Sequence, residues 1–132
     1  MSIEPLVDDF LEYLEVGKGR SPLTIREYRH YLKRFLEWAS QSKPTTKPED
    51  INSELVRKYR IYLAHLRDQN GKPLKRITQS YHVIALRAFL RYLLVQRDIP
   101  TLSPDKIELP KQSPRLVTFL NPEQLERLLK RH

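Results

Sequence analysis

The chain has 132 residues, 39% of them hydrophobic and 30% charged, a size and composition that fit one modest core and leave no room for a second full domain. It has no Cys, which excludes disulfides and thiolate zinc sites, and no apolar run near the roughly 18 residues of a membrane span. The N-terminus carries Glu4, Asp8, Asp9 and Glu12 where a basic leader would stand, so a soluble, untargeted, cytoplasmic protein is expected.

A first helix is read from about Pro5 to Val16, with Leu6, Val7, Phe10, Leu11 and Leu14 on one face and Gly17 and Gly19 ending it. Ser21-Pro22, a capping hydroxyl before a proline at the first helical position, starts a second helix that runs to about Gln41. Its core stripe is Ile25, Tyr28, Leu32, Phe35, Leu36 and Ala39. Residues 42–51, with Pro44 and Pro48, read as a loop. A third helix is expected from Asn52 or Ser53 to Gln69, burying Leu55, Val56, Tyr59, Leu63 and Leu66, with Asn70-Gly71 as its left-handed stop.

The fourth helix, about Lys75 to Arg97, places Ile77, Tyr81, Ile84, Ala85, Ala88, Phe89 and Tyr92 on one side, with Val83, Leu86, Leu90 and Leu94 elsewhere around it. A helix apolar on several sides belongs in the middle of a bundle. Its first two turns, to His82, are more polar and are expected to protrude. Prolines 100, 104, 110 and 114 then describe an extended linker, and Asn121-Pro122-Glu123 opens a further helix with Leu125, Leu128 and Leu129 as its apolar face. The expected organisation is a helical domain over 1–97, a linker over 98–117, and the first helix of a following domain over 118–132.

Enzymatic readings find little support. Three glycines make no phosphate-cradling loop, and no metal spacing joins His30, His65, His82 and His132, so neither a cofactor nor a metal nor a small-molecule substrate is expected. The adjacent acids Asp8-Asp9 and Glu49-Asp50 read as a solvated face and a cap. The seven tyrosines fall on or beside apolar stripes and read as core packing with the hydroxyl at the surface, not as nucleophiles.

The charge is more informative. Of the net +8, residues 1–16 contribute five acids and no Lys or Arg, residues 17–97 eighteen bases against six acids, and residues 98–132 six against five. The middle segment therefore points to a polyanion. On the second helix Arg26, Arg29, His30 and Lys33 share about a third of the circumference. On the fourth, Lys75, Gln79 and His82 follow i, i+4, i+7 spacing, beside a strip of Arg76, Ser80, Arg87 and Arg91. Lys and Arg there suit phosphates, and Gln79 and His82 offer groups that read base edges. Arg20, Ser21 and Thr24 at a helix start, and Lys72 before the fourth helix, complete the candidate surface for duplex DNA.

Ser21-Pro22-Leu23-Thr24-Ile25, followed by Tyr28, Leu32, Phe35 and Trp38, resembles the second helix of the SAM-like core-binding domain of phage-integrase and Xer-type tyrosine recombinases. Thr78 to Leu93, with Ala85-Leu86-Arg87-Ala88-Phe89 and Tyr92-Leu93, resembles its fourth helix. Leu109-Pro110-Lys111, Leu120 and Glu123 to Leu129 are similar to its interdomain linker and the start of its catalytic domain. The resemblance implies an all-α, four-helix core-binding bundle that grips DNA through its second and fourth helices for recombination or integration. It implies that Thr24 and Arg29 hold phosphates, that Arg87 and the first turns of the fourth helix face the groove, and that other protomers join in a synaptic complex. The chain departs from the pattern at Tyr81 and His82, where many relatives carry Arg.

In that family two Arg, a Lys, a His-x-x-Arg motif and a Tyr nucleophile lie beyond the linker. This chain holds no His-x-x-Arg, so binding without strand cleavage is expected of it and catalysis of the parent protein. Two other readings compete. A helix-turn-helix regulator needs a turn of roughly 3–4 residues, shorter than the connections here, and a helical protein-interaction module would turn the basic faces to an acidic partner.

Overall fold

Ile3, Leu6, Val7, Phe10, Leu11 and Leu14 recur every three or four residues, and all six side chains are buried on one face of the first helix. In the computed structural model, which describes residues 3–42 and 46–109, this helix is α1, Ile3–Glu12. It begins before Pro5 because Ile3 joins the buried face. It continues through a π-helical turn, Tyr13–Gly17, closed by the Lys18 N–H on the Tyr13 carbonyl at 3.1 Å. Gly19 then turns the chain with φ +64°, a conformation that glycine adopts without a Cβ clash.

Helix α2 is Pro22–Ser42. Ser21 Oγ accepts the Thr24 N–H at 3.2 Å, so the cap read from the sequence is formed. Leu32, Phe35 and Ala39 are buried, while Ile25, Tyr28 and Leu36 lie half-buried against the core. Helix α3 is Ser53–His65, capped by Asn52 Oδ1 on the Leu55 N–H at 2.8 Å. It stops four residues before the expected Gln69. Asp68 Oδ1 accepts the N–H groups of Asn70 and Lys72, and Arg67 pairs with Pro73 across the turn, so a local side-chain acceptor replaces helical bonds.

Helix α4, Arg76–Gln96, is central. It packs on α2, α3 and α1, and also on the short 3-10 turn Pro104–Lys106. Ala85, Leu86, Phe89, Leu90 and Leu93 are wholly buried. The expected protrusion of its first two turns is found only at Lys75, Arg76 and Ile77, which are exposed, whereas Ser80 and His82 are 5% and 1% exposed. The described residues are all-helical apart from turns and loops, as expected of a four-helix bundle. Residues 98–109 of the expected linker lie on the bundle, where Ile107 is buried, Ile99 and Leu102 pack on the core, and Thr101 donates to the Pro48 carbonyl at 2.7 Å, and the rest of that linker lies outside the described residues. The helix expected from Asn121 lies outside the described residues.

Aromatic side chains tie the helices together. Phe10 meets Phe89 at 5.6 Å and Tyr92 at 5.3 Å, and Phe35 meets Tyr59 edge-on at 5.0 Å. Tyr59 differs from the expected pattern, because its hydroxyl is buried with no hydrogen-bond partner among the described residues, and burial raises its pKa.

Candidate nucleic-acid interface

Helix α2 shows a cationic face as its period requires: Arg26, Arg29, His30 and Lys33 are all exposed. Arg29 Nη1 donates to Asp8 Oδ1 of α1 at 3.1 Å, with both side chains more than half exposed. Such a surface pair stabilises by only about 0–1 kcal/mol, so a phosphate can displace the carboxylate. At the start of α2, Ser21 and Thr24 share a hydroxyl hydrogen bond of 3.0 Å, and Arg20 stands half-buried with its charge acting on Tyr28. Lys72, Lys75 and Arg76 are exposed at the turn before α4 and at its start, and Arg91 is exposed further along.

The remaining residues expected to touch DNA are tied inward. Gln79 Nε2 donates to the Leu74 carbonyl at 3.0 Å, closing the entry to α4. Arg87 Nε donates to the Pro104 carbonyl at 3.1 Å, and its guanidinium lies 3.8 Å from Asp105, so it holds the segment after α4 to the bundle.

His82 is inaccessible, and its ring does not reach the surface where a base edge would lie. Its Nδ1 is 2.7 Å from the Thr78 carbonyl. A carbonyl only accepts, so Nδ1 carries the proton and Nε2 presents a lone pair. Arg34 Nη1 donates to that lone pair at 3.0 Å. Burial lowers the His82 pKa to about 4, aided by the charges of Arg34 and His30 and opposed by the Thr78 carbonyl. The imidazole is therefore neutral at physiological pH. Tyr31 lies against it with ring centres 4.4 Å apart, and His30 stands 6.2 Å away.

Sequence reasoning missed Arg34. The available signal was its position four residues after His30, at the border between the cationic face and the core stripe of α2. The described residues hold no cluster of three or more metal-ligating side chains, and no described helix is long and apolar enough to cross a membrane.

Residues 7–97 match the family model of the phage integrase N-terminal SAM-like domain. Among curated proteins, the tyrosine recombinase XerD of Lacticaseibacillus casei is 32% identical over 94% of this chain and 39% of its own length. The tyrosine recombinase XerA of Thermococcus kodakarensis is 32% identical over 94% of this chain and 36% of its own. The tyrosine recombinase XerC of Pelotomaculum thermopropionicum is 32% identical over 93% and 40%. The chain thus spans about two fifths of the length of the curated relatives it matches. No solved structure matches it. On the strength of a match over most of its helical bundle, the chain belongs to the phage integrase N-terminal SAM-like domain family.

Proposed function

We propose that this domain grips duplex DNA with α2 and the start of α4, as the non-catalytic arm of a cytoplasmic tyrosine recombinase that cuts and rejoins DNA in recombination or integration. The observation that carries the reading is the cationic face of α2, Arg26, Arg29 and Lys33, all exposed on a member of a recombinase domain family. Lys72, Lys75, Arg76 and Arg91 extend the positive surface, and Arg20, Ser21 and Thr24 offer donors at the start of α2. Gln79, His82 and Arg87 are engaged within the bundle, by the Leu74 carbonyl, Arg34 and the Pro104 carbonyl respectively. A second domain holds the opposite side of the duplex, and further protomers complete a synaptic complex.

Fluorescence anisotropy with a labelled duplex of mixed sequence tests this. Binding by the 132-residue chain is expected at low salt, with log affinity falling against log salt at a slope of about −0.9 for each phosphate neutralised. Arg26→Ala with Lys33→Ala should flatten that slope by up to about two such contacts. Absence of binding at low salt, with capture of an acidic protein instead, would favour the interaction-module reading.

A further inference from the structure

His82 contributes nothing to an exposed surface and, as a polar side chain 1% exposed, is not a core-filling choice. Its two ring nitrogens are nevertheless both engaged, one by the backbone of its own helix and the other by Arg34 across the α2–α4 seam. We propose that His82 is a positioning residue for DNA binding, whose Nε2 lone pair aims the Arg34 guanidinium at a phosphate of the duplex. This rests on the DNA-binding reading above.

Arg34 is half-buried, and among the described residues no carboxylate lies within ion-pair distance of it. A carboxylate in the place of His82 would orient the arginine equally well but cancel its charge. A neutral imidazole satisfies one N–H and leaves the charge and the other donors available. The Thr78 carbonyl selects the tautomer that makes this possible, and a ring with the opposite tautomer would point an N–H at the guanidinium. Tyr31 and Tyr81, stacked at 6.5 Å between α2 and α4, and the exposed His30 wall the ring in, so its direction is set by packing. Arg34 follows the exposed His30 by one turn of α2 and lines an open pocket with Glu37, Trp38, Arg67 and Asp68. An arginine held in this way gives up less side-chain freedom on meeting a phosphate than a free one.

The experiment is anisotropy with the same labelled duplex across a salt series, using the 132-residue chain. Arg34→Ala should reduce the slope of log affinity against log salt by about 0.9, the value for one phosphate. His82→Phe, which keeps a ring and removes the acceptor, should reduce it equally. His82→Gln, whose Oε1 falls near the place of Nε2, should restore it. In the Arg34→Ala background His82→Phe should change nothing further. An additive second loss there, or a full slope in a folded His82→Phe variant, overturns the proposal.

Nitrogen NMR of the unaltered chain gives an answer independent of any variant's folding: Nε2 of His82 should be the unprotonated ring nitrogen, and a proton found on it overturns the proposal. If the unaltered chain binds no duplex, both readings fall. If it binds and Lys33→Ala weakens it while His82→Phe does not, only this one does.

Discussion

His82 lies inside the bundle at 1% exposure, with a partner on each ring nitrogen. The i, i+4, i+7 spacing of Lys75, Gln79 and His82 puts the three near one face of α4, but neighbours decide what that face meets. His82 turns inward because Thr78 and Arg34 satisfy both nitrogens, which lets a polar ring be buried at little cost. That burial has a consequence for acid stability. The folded pKa is about 4 and the unfolded value 6.5, so between them the unfolded chain binds the extra proton. Stability is expected to fall as pH drops through that window, approaching about 1.4 kcal/mol per pH unit for this residue. Thermal melts of the chain and of His82→Gln from about pH 7 to pH 5 check this, since carboxylates titrate alike in both. The difference between the two curves should shrink with acid, and parallel curves would contradict the assignment. No period in the sequence contains the carbonyl and the guanidinium that hold the ring, which is why its burial was not legible there.

At the scale of elements, helix starts were legible and helix faces less so. Ser21-Pro22 and Asn52 are short-range signals and they act as read, because a cap involves only neighbours in the chain. Ser21→Ala should cost about 1 kcal/mol in chemical denaturation, because the Thr24 N–H loses its acceptor. The end of α3 was misjudged because Asn70-Gly71 belongs to the turn that Asp68 organises, not to a helix terminus. For α4 the sequence is apolar on several sides, so period alone left its orientation open. Packing on α1, α2, α3 and the segment after α4 leaves Ile77 at 37% exposure, while Leu86 and Leu93 have none. Leu86→Ala should therefore cost about 2–5 kcal/mol, by lost transfer energy and a residual cavity. Ile77→Ala should cost less than about 1 kcal/mol. Equal losses in urea midpoints would mean that α4 is rotated from this arrangement.

For the whole molecule, the bundle extends past the end of its fourth helix. Asp98 adopts φ 53°, and the Ile99 N–H returns to the Leu93 carbonyl at 2.9 Å, so the chain folds back where the prolines had read as an extended linker. Proline spacing reports the absence of a helix but says nothing of what an irregular segment covers. Here it covers the side of α4 that carries Arg87: Ile107 is 4% exposed, and the Pro104 carbonyl occupies the Arg87 Nε–H. The segment therefore contributes to the core and also keeps one arginine from the solvent-facing cationic set. Ending the chain after Arg97 should lower the melting temperature relative to ending it after Leu109, by roughly 4–8 °C for each kcal/mol lost in a domain of this size. Ile107→Ala within the longer chain should reproduce much of that loss, at about 2–4 kcal/mol. If the two lengths melt together, residues 98–109 rest on the bundle without stabilising it. If the shorter chain melts lower yet binds duplex DNA with a steeper salt slope, the segment also restrains Arg87, whose guanidinium becomes available to a phosphate once Pro104 and Asp105 are gone.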